Sequence, residues 1–271
     1  MIKPGEIHSL AGEAGVRDTQ IEKDYAISWV LFGISKNEFL KQNLAFKGGT
    51  VLKKAYFGDY RFSEDLDFTY IQSGFESGKI KAEFQKVLDW IYEESRIRLA
   101  IKDDTTRETG NFNFYISYTG PLGGAGANKD IKIDIASDEL ICDSPENKQI
   151  IHSYSDLPEY EILCYSMPEI VSEKMRSLMQ RTAPRDIYDL WYLFENEGLD
   201  IQDYIFQFQA KANHKKKDSS KLVEEIAKKE KIFQTHWKNH LSGQMSEIPD
   251  FAEVWRELGK HWRKFEKAIK K

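Results

Sequence analysis

Asp65-Leu66-Asp67 opens the apolar run LDFTYI. Side chains two apart on a strand point to the same face, so the two carboxylates converge while Leu66 and Phe68 turn to the core. Like charges held this close repel unless a cation lies between them, and Mg²⁺ takes carboxylate and phosphate oxygens in an octahedral shell. A third acid stands in IKIDIA, Ile131 to Ala136, where the isoleucines share one face and Lys132 and Asp134 the other. An isolated D-x-D is more often a solvated strand edge, but a third strand carboxylate shifts the balance. Asp65, Asp67 and Asp134 are the expected ligands of two Mg²⁺ ions, and the chemistry is phosphoryl transfer. Just upstream, Gly48, Gly49 and Thr50 begin a helical stretch. Glycine lets the backbone approach a ligand closely, Thr50 adds a hydroxyl, and N–H groups at a helix start suit a phosphate. Arg61 and Ser63, immediately before the acids, either contact phosphate or close the turn.

The elements that must position these residues are legible from periodicity. Ile21, Tyr25, Trp29 and Phe32 recur at helical spacing and predict a second helix within Lys3 to Lys36, with Asp18 as its N-cap. A short strand at Leu44 to Phe46, a helix at Val51 to Phe57, the strand Leu66 to Ile71 and a helix from about Lys79 to Arg98 follow. Strand signals then dominate at Leu99 to Lys102, Phe112 to Tyr118, Ile131 to Ala136, and near Ile150 and Ile162. After Pro168 the pattern is helical: Ile170, Val171, Met175, Leu178 and Met179 form one stripe, and Ile187, Leu190, Trp191 and Phe194 the next. Ala210 to Lys221 is polar and reads as a loop, and amphipathic helices run through Leu222 to Leu241 and Phe251 to Ile269. The expected fold is α/β plus α, with a mixed-sheet domain at 1–167 and a helical bundle at 168–271.

Composition narrows the class. At 41% hydrophobic and 13% aromatic residues, the chain buries enough apolar surface to fold. Cys142 and Cys164 are too few for a disulfide framework, no apolar stretch reaches bilayer length, and the N-terminus lacks the apolar core of a signal peptide. A cytoplasmic protein without membrane contact is expected. The net charge of −5 argues against a chain that coats nucleic acid indiscriminately, yet residues 209–271 carry 16 Lys and Arg against 9 Asp and Glu. Lys215, Lys216, Lys217, Lys228, Lys229, Lys231, Arg263 and Lys264 offer a route to RNA phosphates, with a solvated helix surface as the alternative. Gly120, Gly123, Gly124 and Gly126 read as a hairpin loop, and His236 with His240 lacks the further ligands of a zinc site.

Several segments together resemble a known family. IEKDYAISWVL (Ile21 to Leu31), FKGGTVLKKAY, RFSEDLDF, IKIDI, PEIVSEKMRSLMQR (Pro168 to Arg181) and RDIYDLWYL (Arg185 to Leu193) are similar in order and spacing to the AbiEii toxin family of nucleotidyltransferases, within the DNA polymerase β-like superfamily. The likeness runs from about residue 20 to 195; the 14-residue spacer between Thr50 and Asp65 is long, and Thr stands where Ser is common. The resemblance implies a toxin that uses a nucleoside triphosphate and Mg²⁺ to attach a nucleotide to an acceptor, tRNA in relatives, alongside a cognate antitoxin. Asp65 and Asp67 then hold metals, Asp134 is ligand or base, and Gly49 and Thr50, with Gly48 and Ser63, cradle the triphosphate. Lys174 and Arg181 share a helical stripe and neutralise phosphate charge, oriented by Asp186 ahead of Asp189; a solvated face is the alternative. Lys23 and Asp24 match another motif, or form a surface ion pair. Two rival functions are a small-molecule, antibiotic-type nucleotidyltransferase and a non-enzymatic nucleotide-binding module.

Overall fold

Alternating apolar and polar residues build the sheet, and the apolar stripe of one helix packs on it. The computed structural model describes residues 1–106, 111–124 and 129–269, the side chains of 103–106 excepted; Gly126 of the glycine-rich segment lies outside the described residues. The chain opens with α1 (Pro4–Ala14), α2 (Asp18–Lys36) and α3 (Glu38–Asn43), followed by β1 (Leu44–Lys47), α4 (Gly48–Val51, continued as a π-helical turn to Tyr56) and β2 (Asp65–Tyr70). Then come α5 (Ser77–Ser95), β3 (Arg98–Thr106), β4 (Asn111–Thr119), β5 (Asp130–Ala136), β6 (Glu146–Gln149) and β7 (Glu161–Cys164). The remainder is helical: α6 (Met167–Gln180), α7 (Pro184–Trp191), α8 (Ile205–His214), α9 (Leu222–Ala227), α10 (Glu230–Leu241) and α11 (Phe251–Ile269).

Among the described residues seven strands form one mixed sheet, ordered β3-β4-β5-β2-β1-β7-β6. The central pair β2 and β5 is parallel, as is β1 with β7, and the other neighbours are antiparallel. One face carries Phe46, Leu66, Phe68, Phe112, Phe114, Ile131, Ile133 and Ile135, all buried. Against it lies the apolar stripe of α5, with Phe84 meeting Phe114 edge to face at 5.1 Å between ring centroids. Burying each such side chain contributes roughly 1.5–3 kcal/mol, which fixes the register of these strands and, through the two-residue period, what the opposite face must carry.

The chain divides into two compact units. Met1–Glu139, Pro145–Tyr165 and Gly243–Ser246 form the first; Leu140–Ser144, Ser166–Ser242 and Glu247–Lys271 form the second. Leu140–Ser144 joins the second because Glu169 of α6, wholly buried, accepts hydrogen bonds from the backbone N–H groups of Cys142 and Asp143 at 2.6 and 2.9 Å. Lys211 of α8 completes the knot, pairing with Glu169 at 2.6 Å and donating to the Leu140 carbonyl at 2.6 Å.

Four local expectations change. Ala210 to Lys221 is not one loop: α8 runs to His214, because Phe208, Lys211 and Ala212 are buried at helical spacing. Leu222 to Leu241 is two helices, interrupted at Lys228 and Lys229. Asp18 is the first residue of α2 and Arg17 its cap, while α5 ends at Ser95 because Arg96 turns left-handed (φ 64°), which releases Arg98 into β3.

Candidate active site

β1 delivers the chain to Gly48, which adopts φ 82° and sits where a Cβ would collide with the Asp67 carboxylate. Only glycine fits both demands. The backbone then turns into α4, whose Thr50, 2% exposed, donates its hydroxyl to the Asp65 main-chain carbonyl at 2.5 Å. This hydroxyl ties the glycine turn to the strand that carries the acids. Gly49 packs against Arg61 and Ser63: a Cβ there would lie 2.8 Å from an Arg61 guanidinium nitrogen and 3.5 Å from Ser63 Oγ.

The acids occupy the sheet face opposite the aromatic core. Asp67 is in register with Lys47 on β1 and with Asp134 on β5, and Asp134 with Asn113 on β4, so Lys47, Asp67, Asp134 and Asn113 make one row across four strands. One step along, Asp65 stands beside Lys132. The side chains of Asp65, Asp67 and Asp134 are half-buried. Lys132 reaches Asp134 at 2.8 Å. Burial by itself would depress its pKa, but the hydrogen bond and charge of Asp134, with Asp67 and Asp65 beyond, raise it above the ordinary lysine value. Among the described residues no three His, Cys, Asp or Glu side chains converge as ligands of a single ion. Mg²⁺ does not require that, because it binds through one or two carboxylates and takes the rest from phosphates and water.

Supporting residues come from far along the chain. Arg61, buried, donates to Gln244 Oε1 at 2.9 Å, and the Phe62 N–H donates to the Gln244 carbonyl at 2.8 Å. Lys23 pairs with Glu64 at 3.1 Å, next to the acids, and Asp24 with Lys54 at 2.5 Å and the Tyr154 hydroxyl at 2.7 Å, deep in the core. The alternative of a Lys23–Asp24 surface pair therefore fails. Asn113 and Gln244 went unnoticed in the sequence. Asn113 is 5% exposed and its Nδ2 has no hydrogen-bond partner, an amide donor beside Asp134.

A second charged cluster lies within the helical unit. Lys174, 7% exposed, meets Asp189 at 2.5 Å and Asp186 at 3.5 Å, and both carboxylates are buried. Arg181 donates to Asp186 through Nε at 2.8 Å and through a terminal nitrogen at 3.1 Å. The solvated-face alternative for Lys174 is excluded by its burial, and its nearer partner is Asp189, where the sequence favoured Asp186. The structure thus brings Asp65, Asp67, Asp134, Gly48, Gly49, Thr50 and Ser63 together in the first unit, and Lys174, Arg181 and Asp186 together in the second.

A family model for the nucleotidyl transferase AbiEii toxin of type IV toxin-antitoxin systems matches residues 29–270. The chain belongs to this family. The AbiEii match extends well past residue 195, through helices in which the sequence showed no motif. The fold is that of MenT4, the nucleotidyltransferase toxin Rv2826c of Mycobacterium tuberculosis H37Rv, with TM-score 0.65 at 17% identity over 97% of this chain and 89% of that one. It is also that of JHP933 from Helicobacter pylori, with TM-score 0.58 at 16% identity over 94% and 95%. A curated relative, the uncharacterized protein aq_aa25 of Aquifex aeolicus (strain VF5), is 26% identical over 160 residues, 58% of this chain. The chain spans about 60% of that relative's length.

The basic surface of this AbiEii chain is less available than its composition suggested. Lys228 pairs with Glu224 and Glu225, and Lys264 with Asp200. Lys229 donates to the Leu178 carbonyl at the end of α6 at 2.8 Å, and burial lowers its pKa. Lys216 and Lys217 are exposed on the turn after α8. No helix among the described residues is long and apolar enough to cross a membrane.

Proposed function

We propose that this chain transfers a nucleotide from a nucleoside triphosphate to an RNA acceptor, tRNA, as the Mg²⁺-dependent toxin of a toxin–antitoxin pair. The observation that carries this reading is the in-register pair Asp67 and Asp134, with Asp65 one step away on the same face, beside a turn where only glycine clears the Asp67 carboxylate. All three acids offer hard oxygen donors suited to Mg²⁺. When bound, the metal supplies stabilisation of charge on the phosphoryl oxygens and acidifies a hydroxyl.

The chain's own residues divide the remaining work. Gly48 and Gly49 admit the triphosphate to the backbone, and Ser63 and Arg61 line that turn, with Gln244 holding the guanidinium. Thr50 acts through Asp65, fixing where the first acid begins. Asp134 serves as ligand or as the base that takes the acceptor hydroxyl proton. Lys174, Arg181 and Asp186 enter through the family likeness as the charge-compensating set, and their role is kinetic: Lys174→Ala should lower kcat more than it weakens metal binding. Lys216 and Lys217 supply backbone contacts to RNA, and the cognate antitoxin restrains the activity.

The test is incubation of the purified protein with each labelled NTP, Mg²⁺ and total RNA. Label in the tRNA fraction, lost with Asp67→Asn, is the expected result. Label confined to small molecules moves the assignment to the antibiotic-type reaction, and no transfer from any NTP overturns it.

A further inference from the structure

The acid face carries a cation of its own. Lys132 projects from the same strand and face as Asp134, two residues away, and its backbone neighbour on β2 is Asp65. Its ammonium holds Asp134 Oδ2 at 2.8 Å, with side-chain exposures of 30% and 23% for the pair. This is no solvent-bathed ion pair: both groups stand in the sheet between two further carboxylates. Of the other cations near the acids, Lys23 is committed to Glu64 and Lys47, buried, stands in register with Asp67, while Lys132 is the one that reaches Asp134.

We propose that Lys132 is the resident counter-ion of Asp134 and makes metal loading conditional on the nucleotide. The inference rests on the reading that Asp65, Asp67 and Asp134 hold the divalent ion. A divalent ion arriving alone must take Asp134 from the ammonium and then sit beside a displaced positive charge, and like charges a few ångströms apart repel. A triphosphate changes that balance, because its oxygens accept the ammonium as the metal takes the carboxylate. Lysine suits this role because a compact charge on a flexible four-carbon stem swings between two anions without a fixed hydrogen-bonding plane, unlike arginine. The device keeps Asp134 paired without metal, and it selects the metal–nucleotide complex over free metal. By linkage, the factor by which NTP tightens metal binding equals the factor by which metal tightens NTP binding, and Lys132 sets part of it.

The probe is Mn²⁺, titrated calorimetrically into the full-length protein, first alone and then with a non-hydrolysable analogue of each NTP. The parent is compared with Lys132→Met and Lys132→Gln, whose folding is confirmed by circular dichroism. Without nucleotide, the neutral variants should bind Mn²⁺ about tenfold tighter or more, the order expected when one repelling unit charge is removed nearby. With the analogue, the parent should gain more Mn²⁺ affinity than either variant. Equal Mn²⁺ affinity of the parent and a folded neutral variant, without nucleotide, overturns the proposal. Asp67→Asn separates the two layers. If it binds Mn²⁺ as the parent does, the metal reading itself fails; if it loses Mn²⁺ while the lysine variants match the parent, only the role of Lys132 fails.

Discussion

Asp67 and Asp134 stand half-buried on an open sheet face, whereas Asp186 and Asp189 are buried side chains that share Lys174, and Arg181 adds a second cation to Asp186. In the second cluster each carboxylate has a cation within reach, so its charges answer one another. On the first face three half-buried carboxylates share the sheet with Lys132 and Lys47, and Gly48 is shaped to admit Asp67. Buried ions must be compensated inside the protein or they destabilise it. Half-buried ions that water still reaches can exchange a protein partner for a cationic ligand at less cost. The contrast sets half-buried charges on the sheet against buried, charge-matched ones in the helices, and it can be broken at either end.

The largest effect is expected at Asp67. Asp67→Asn should reduce transfer about 10³-fold, the order seen when one electrostatic contributor to a transition state is removed. Thermal stability should change far less than the transfer rate, because the carboxylate is half-buried and water still reaches it. A variant that transfers at the parent rate, or one that melts well below it, would make Asp67 as architectural as Asp189.

Next comes the helical cluster. Lys174→Met leaves two buried carboxylates with one cation fewer and should cost roughly 3 kcal/mol, measured by denaturant unfolding. Lys132→Met, on the sheet, should cost less than about 1 kcal/mol, as for a partly solvated pair. Equal losses at the two lysines would erase the distinction between the regions.

The sheet was the most legible part of the molecule. IKIDIA and FNFYISY alternate cleanly, so the faces of Asp134, Ile133 and Phe114 followed from period alone. What stayed hidden depended on pairing between distant residues. Lys211 sits in the polar string AKANHKKKDSSK, and nothing in its type shows that Glu169 will neutralise it in a core. Asn113 looks like the polar half of an alternation until the register puts it next to Asp134. Gln244 meets Arg61 across 183 residues of sequence, a pairing that no local pattern encodes. Thr50 was legible as the hydroxyl after the glycine turn but not as a donor to the Asp65 carbonyl, because strand and helix must first be docked.

A smaller effect tests whether the exposed cations of the second unit differ from its buried ones. Lys216→Gln with Lys217→Gln should flatten the salt dependence of tRNA binding by up to about one unit of log–log slope for each phosphate no longer neutralised. NTP binding should survive. Affinities measured at several salt concentrations check this, and unchanged slopes would remove these lysines from the RNA surface.

The smallest expected effect concerns pH. His240 on α10 has its pKa lowered, first by burial and then by the positive charges of Arg185 and His236. A histidine held below its ordinary value binds its proton less readily when folded than when unfolded. The unfolded chain therefore takes up more protons as the pH falls through about 6.5, and by linkage the folded state loses stability in that window; the contribution is fully present above it. His240 is exposed, so solvent screens the effect and the shift in melting temperature should be slight. The comparison is between the parent and His240→Gln, melted at several pH values from about 7.5 down to about 5, a range that brackets the ordinary histidine value. The parent should lose stability faster than the variant on acidification, because the variant has no proton to refuse. Parallel curves would show that the cations around His240 are too well screened to matter, and would confine the charge-matched character of the helical unit to its buried cluster at Lys174.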